Sequence, residues 1–294
     1  VDIAIRVVDD RDSCHDVEQL QQQIWGFDSG EVVPYHQLMT AARWGGTLLV
    51  AYDGDKPVGF AYGFGGLDQG RPVLCSHMLG VLPEYRSRQV GYRLKMAQRD
   101  LARQAGYHRM VWTFDPLEAR NAYLNLHKLG AFVEKYSVNH YGEMRDQLNR
   151  GLPSDRLLAD WRFGPGDEPR PPMPAGAHAA PVLNPAAVVD GVARPGPLDQ
   201  SLLGAEPVLR VAVPAHTGHL RRSAPDVAAA WRLSLREALT GAFAAGYRAV
   251  DFQPPEAITA AGTGEAPAAA EAAPHAAAVA YYILTRRDTG GGSR

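Results

Sequence analysis

The sequence predicts a mixed α/β chain, and three observations carry that expectation. Short apolar runs alternate with stretches whose apolar residues step at three and four, the periods of strands and of amphipathic helices. Asp53-Gly54-Asp55 separates the runs Thr47 to Tyr52 and Pro57 to Phe64, and Asp-Gly is a strong signal for an antiparallel hairpin. From Leu74 to Leu101 an apolar strand runs into a basic turn and then into an amphipathic helix. That order prepares an anion site, because the first N–H groups of a helix lack intrahelical partners and lie at the positive end of its dipole.

Taken in order, Val1 to Val8 reads as an opening strand and Val17 to Trp25 as a helix, with Val17, Leu20, Gln21 and Ile24 on one face. A second helix, Tyr35 to Trp44, stops at Gly45-Gly46, and the hairpin follows. The strand Leu74 to Val81 ends at Pro83. The helix from about Val90 to Ala105 carries Val90, Leu94, Ala97 and Leu101 on one face and stops at Gly106. Arg109 to Phe114 is a strand. Asp115-Pro116-Leu117-Glu118 combines an N-cap, a first-turn proline and a capping-box acid, so a helix is expected from there to Leu129. Phe132 to Tyr141 and Arg156 to Phe163 supply further strands.

From residue 164 to 207 the composition changes: ten of the chain's 22 prolines lie in this stretch, which argues against a helix or a central strand. Beyond it come a strand at Leu209 to Val213, a helix at Pro225 to Ala245 and strands at Arg248 to Phe252 and Ala278 to Thr285. The expected domains are therefore 1–163, a proline-rich connection 164–207, and a C-terminal strand-helix-strand-strand extension 208–294. Gln104-Ala105-Gly106-Tyr107 and Ala244-Ala245-Gly246-Tyr247 are similar helix-to-strand junctions, read either as a shared local solution or as a duplication.

Composition limits the function classes. A net charge of −2 lacks the broad basic field of a nucleic-acid binder, so phosphate recognition should be local. Cys14 and Cys75 match neither a metal-ligand spacing nor a disulfide framework, and a reducing cytoplasm is the expected compartment. No apolar run reaches ~18 residues, so no membrane span is expected. No metal site is expected either.

The run Val81-Leu82-Pro83-Glu84-Tyr85-Arg86-Ser87-Arg88-Gln89-Val90-Gly91, with Lys128-Leu129-Gly130-Ala131-Phe132 downstream, resembles the signature of the GNAT superfamily of N-acyltransferases over roughly residues 1–145. Gln89 stands where that signature has its first glycine. The resemblance implies a GNAT-like fold, a mostly antiparallel central sheet flanked by helices, and an acyl-coenzyme A co-substrate, acetyl-CoA or succinyl-CoA. It assigns the pyrophosphate to Arg86, Ser87, Arg88, Gln89, Val90, Gly91 and Tyr92, and the thioester carbonyl to the N–H of Leu79 or Val81. Asn121 and Asn125 would contact the coenzyme, or are simply helix polars. His77 is the candidate base, with a hydrogen-bonded structural histidine as the alternative. The family's usual thiolate-protonating tyrosine falls at Leu126 here, and Tyr123, one turn earlier, is the candidate replacement, with plain packing as its alternative. His127 is placed about 100° away from Leu126 and is the weaker choice.

Acceptor binding is expected from the first two helices and their loop, with Trp25, Phe27 and His36 as candidates, or else these aromatics belong to an ordinary helix connection. The stretches WTFDPLEARNAYLNLHKLGAF and YGEMRDQLNRGLPSDRLLADW resemble a bacterial GNAT subgroup of acyltransferases, some of them associated with amino-acid N-succinylation, and that resemblance adds Arg120 as a carboxylate holder through a bidentate guanidinium, or else as a surface helix residue. The expected activity is transfer of an acetyl or succinyl group to the primary amine of a small molecule. The alternatives are a non-catalytic acyl-CoA-binding module and, for residues 208–294, a homodimer interface.

Overall fold

The computed structural model describes residues 3–28, 30–86, 88–142, 152–164, 173–257 and 277–287. They form two compact units, one holding the chain up to Thr113 with 160–164, the other holding 114–142, 152–159 and the described residues from 173 onward.

The first unit contains β1 (Ile3–Val7), α1 (Arg11–Trp25), α2 (Tyr35–Arg43), β2 (Thr47–Asp53), β3 (Lys56–Asp68), β4 (Arg71–Val81), α3 (Val90–Gln104) and β5 (Arg109–Phe114). Helix α1 begins six residues before the expected start. The Asp10 carboxylate caps it by accepting from the Ser13 N–H at 2.9 Å, and the charged residues that follow conceal the apolar period in sequence. Gly26, in the left-handed region at φ 70°, closes it. Strands β1 to β4 pair antiparallel in chain order, and Asp53 faces Lys56 across a two-residue turn whose Gly54 has φ +61°. Thr47 to Tyr52 is buried at every position, as expected of a strand with both faces covered. Helices α1 and α2 cover one face of this sheet and α3 the other. Leu48, Val50, Phe60 and Leu94 lie in the resulting core.

The second unit contains α4 (Ala119–Ala122), which passes into a π-helical segment, Tyr123–Lys128, then β6 (Phe132–Ser137) and the first four residues of β7 (Arg156–Arg162). Next come β8 (Ala186–Val189), β9 (Val192–Pro195), β10 (Val208–Pro214), α5 (Thr217–Ser223), α6 (Pro225–Ala244), β11 (Tyr247–Ala257) and β12 (Ala278–Arg286). Strand β12 pairs antiparallel with β10 on one side and β11 on the other, and β11 meets β6 at Ala249↔Val133. Helix α6 buries the expected face, Val227, Trp231, Leu235, Ala238 and Ala242. Part of the proline-rich stretch folds as the β8-β9 hairpin, and Leu183, fully buried, donates its N–H to the Arg210 carbonyl at 2.8 Å.

Three local expectations need correction. Asp115 does not cap a helix at Leu117: its carboxylate accepts from the Leu117 N–H at 2.8 Å in a turn, and regular helix begins only at Ala119. The reason is electrostatic, since Arg232 grips the same carboxylate with two hydrogen bonds of 2.8 and 2.7 Å. Helix α5 was not expected, because seven residues are too few for a convincing period. Strand β11 runs past its expected end at Phe252, with a register irregularity between Gln253 and Glu256, where Pro254 and Pro255 supply no donors. The alanine-rich stretch 258–276 lies outside the described residues.

Candidate active site

Strand β4 pairs parallel with β5 at Leu74↔Met110 and Cys75↔Val111, and no further pair joins them among the described residues. Beyond Cys75 one edge of β4 is therefore open. Leu82 N–H donates to the Val58 carbonyl of β3 at 2.9 Å, so by the alternation of a strand the N–H groups of Leu79 and Val81 point to the opposite, open side. These are two oriented donors where the sequence places the oxyanion contact.

A buried polar chain marks the place where the strands part. Lys95 Nζ donates to Ser76 Oγ at 2.7 Å, Ser76 Oγ donates to Gln98 Oε1 at 2.7 Å, and Gln98 Nε2 donates to Thr47 Oγ1 at 2.9 Å. Lys95 Nζ also lies 3.5 Å from the centre of the Trp112 ring on β5. One side chain thus touches both strands at the first residues that fail to pair. Burial pushes the Lys95 pKa well below its ordinary value, which favours the neutral amine. Sequence reading missed Lys95 and Gln98, because both are polar residues on the buried face of α3.

The strand then turns through Pro83-Glu84-Tyr85 into α3. Gln89 has φ 60° and ψ 11°, the left-handed conformation in which glycine is cheap and a side chain is not. The missing glycine therefore leaves the backbone path in a glycine-like conformation and changes only its cost. The Gln89 side chain is exposed, as are Arg86 and Arg88, while Val90 is buried and Gly91 and Tyr92 are half-buried. Arg86 Nε donates to the Val81 carbonyl at 3.1 Å, and Arg88 lies over the Tyr85 ring at 5.3 Å. Arg93 instead donates to the Ile3 carbonyl of β1 at 2.7 Å and serves the sheet. Ser87 lies outside the described residues.

His77 sits on the face covered by α1 and α2. Its ring lies 6.1 Å from Tyr62 and 5.7 Å from Phe64. The residue is exposed, yet partial desolvation lowers its pKa from 6.5, which favours the neutral, proton-accepting form. On the same face Trp25 stacks with Phe27 at 5.3 Å and meets Phe60 edge-on at 5.6 Å. A Cβ at Gly80 would come 2.8 Å from Ile24 Cδ1 and 3.1 Å from Trp25 Cη2, so β4 passes directly beneath the end of α1. His36 is exposed on α2, edge-on to Tyr35 at 5.5 Å. The loop between α1 and α2 is fixed by Gln21, whose side-chain amide exchanges two hydrogen bonds with the Val33 backbone.

The remaining candidates belong to the second unit. Arg120 and Asn121 are exposed on α4, and Asn125 is buried. Leu126, at the position of the family's tyrosine, is fully buried and packs as core. Tyr123 stacks on His127 with centroids 4.7 Å apart and planes 13° from parallel, and His127 Nδ1 lies 3.0 Å from Asp251 Oδ1. The expected divergence of His127 from the working face rests on α-helical spacing. The Leu129 N–H bond to the Leu124 carbonyl marks a π turn, and residues 123 and 127, four apart, lie on one face as i,i+4 neighbours do in an α-helix too. No sequence signal announced the π segment or the partnership with Asp251. Among the described residues no group of His, Cys, Asp and Glu is arranged to hold a metal ion, and no helix is long and apolar enough to cross a membrane.

Comparison with known proteins bears on this arrangement. Residues 14–131 match the Acetyltransferase (GNAT) family. No curated protein matches the chain. Among solved structures, the Escherichia coli ribosomal-protein-S18-alanine N-acetyltransferase is 14% identical, covers 57% of this chain and 97% of its own, and has a TM-score of 0.46. Arabidopsis thaliana Naa50, in complex with a bisubstrate analogue, is 17% identical over 55% of this chain and 100% of its own, with a TM-score of 0.44. Ard1 of Thermoplasma volcanium is 18% identical over 56% and 99%, with a TM-score of 0.43. The parting of β4 from β5 and the turn into α3 both fall within residues 14–131, the segment that is similar to the GNAT acetyltransferase family.

Proposed function

We propose that this protein is a CoA-dependent N-acyltransferase that moves an acetyl or succinyl group to the primary amine of a small molecule, amino acids being one candidate class. The observation that carries the reading is the open edge of β4, which leads from the N–H groups of Leu79 and Val81 to the N-terminus of a 15-residue helix entered through left-handed Gln89. Backbone donors at Val90, Gly91 and Tyr92, with Arg86 and Arg88 beside them, suit a pyrophosphate. Acyl-CoA, when bound, supplies the thioester. In the reaction the amine nitrogen forms a bond to the acyl carbon as the carbon–sulfur bond breaks, and the sulfur leaves with the electron pair. Leu79 or Val81 N–H stabilises the oxyanion, and neutral His77 accepts the amine proton. Tyr123 is assigned the return of a proton to the thiolate, Asn121 and Asn125 contacts to the coenzyme, and Arg120 a carboxylate.

Acceptor selection is assigned to Trp25, Phe27 and His36, because the α1-α2 aromatics and His77 share a face. Residues 1–163 are assigned the catalytic role, with 164–207 as a connection and 208–294 as an extension. A cytoplasmic location is proposed on the cysteine content, and a homodimer through 208–294 remains a proposal of the same rank. The second reading, a non-catalytic acyl-CoA-binding module, is favoured by one observation: Leu126 is buried core where the family has its acid. A matrix of acetyl-CoA and succinyl-CoA against D- and L-amino acids and polyamines, read by mass spectrometry, separates the two. An acylated amine with free coenzyme supports the enzyme, and tight binding of acyl-CoA with no product from any pair supports the module.

A further inference from the structure

Lys95 is 2% exposed, and lysine is seldom buried so fully without an acid beside it. Its Nζ donates to Ser76 Oγ at 2.7 Å and lies 3.5 Å from the centre of the Trp112 ring, and among the described residues no carboxylate pairs with it. These neighbours are fixed. Ser76 Oγ donates to Gln98 and Gln98 donates to Thr47, which leaves the Ser76 hydroxyl a lone pair toward the amine. Ser76 and Trp112 directly follow the last pair between β4 and β5, Cys75↔Val111, so the amine closes the narrow end of the opening between the strands. All of these residues belong to the first unit.

In the proposed reaction, on which this inference rests, the coenzyme runs from the N-terminus of α3 back along β4 to a thioester at the Leu79 N–H. An acyl chain that continues in that direction heads for Lys95. Ser76 precedes Leu79 by three residues, about 10 Å at the rise of a strand and slightly less here, because the β3-β4 register shifts between Tyr62 and Phe64. The methyl of an acetyl group ends one bond beyond the thioester carbon and leaves the amine untouched. A carboxylate three bonds beyond that carbon extends about 5 Å, and a charge-assisted hydrogen bond of about 2.8 Å spans most of the remaining gap. We infer that Lys95 selects the acyl donor, and that this donor is the coenzyme A thioester of a four-carbon dicarboxylic acid, succinyl-CoA, whose terminal carboxylate pairs with the Lys95 amine. The carboxylate brings the opposite charge that Lys95 lacks and favours the charged form of the amine, in a place where low polarity strengthens the attraction. An uncharged chain of the same length brings the amine no partner and gains only its contact with the apolar walls.

The test is calorimetric titration of the full-length protein, without an amine acceptor, by succinyl-CoA, butyryl-CoA and acetyl-CoA. Butyryl-CoA matches succinyl-CoA in chain length and lacks its charge. Succinyl-CoA should bind about tenfold more tightly than either of the others. In Lys95→Met, which keeps the stem and removes the amine, the ratio of succinyl-CoA to butyryl-CoA affinity should fall to about one or invert, a change that a general loss of folded protein does not produce. Succinyl-CoA that binds the wild-type protein no more tightly than butyryl-CoA overturns the inference and leaves acyl transfer standing, whether or not the variant folds. A preference for succinyl-CoA that survives in Lys95→Met also overturns it, because another residue then holds the carboxylate. If none of the three thioesters binds, the acyl-transfer reading fails together with the inference.

Discussion

His77 and Gln89 are the residues on which the chemistry and the phosphate cradle depend. As a base His77 must be neutral, and desolvation lowers its pKa below 6.5, so the acid limb of kcat/KM should fall below the ordinary histidine value, with activity lost as pH drops through it. His77→Ala should reduce kcat about 10²- to 10⁴-fold and remove that limb while leaving acyl-CoA binding almost unchanged; an unaltered pH profile would assign the ring a packing role against Phe64. At residue 89 the left-handed backbone costs a side chain ~1–2 kcal/mol, partly offset by the entropy a glycine loses on folding. Gln89→Gly should therefore raise stability by up to about 1 kcal/mol in chemical denaturation and bind coenzyme at least as tightly. A destabilised variant would mean that the glutamine side chain makes a contribution its exposure does not suggest. In sequence the glycine's absence was legible, but its consequence was not, since a dihedral angle cannot be read from a residue name.

At the scale of elements, the parting of β4 and β5 is organised by Lys95, which donates to Ser76 and packs on Trp112. Its folded pKa lies far below that of the unfolded chain, so between the two values the unfolded state binds more protons and stability rises with pH. Lys95→Met, which keeps the stem and removes the titration, should flatten that rise in denaturation curves taken between neutral pH and about pH 10. An unchanged slope would place the titration elsewhere. Apolar periodicity revealed α2, α3, α6 and most strands, because burial on one face repeats at a fixed step. It did not reveal Lys95, Gln98 or Asp115, whose burial depends on partners distant in sequence, such as Thr47 for Gln98 and Arg232 for Asp115. The π segment escaped for the same reason: one extra residue per turn leaves no compositional mark.

For the whole molecule, the matched segment 14–131 ends one residue before β6, and β6 pairs with β11 through Val133 and Ala249. Residues 208–257 and 277–287 therefore complete a sheet and supply Arg232 and Arg221 to Asp115. Truncation after Phe163 should yield an insoluble chain, since it exposes the β6 edge and leaves a buried carboxylate without its bidentate partner. A soluble, active fragment would show that the C-terminal part is dispensable. The family resemblance made the first unit readable, while the pairing of β6 with a strand more than 100 residues away had no local signal. In the proposed reaction acyl-CoA lies along the open edge of β4 and on the N-terminus of α3. Hydrogen exchange of the full-length protein with and without acetyl-CoA tests this placement most directly. It predicts slowed exchange in peptides containing Leu79, Val81, Val90 and Gly91, and saturable binding that leaves all four unaffected would contradict it.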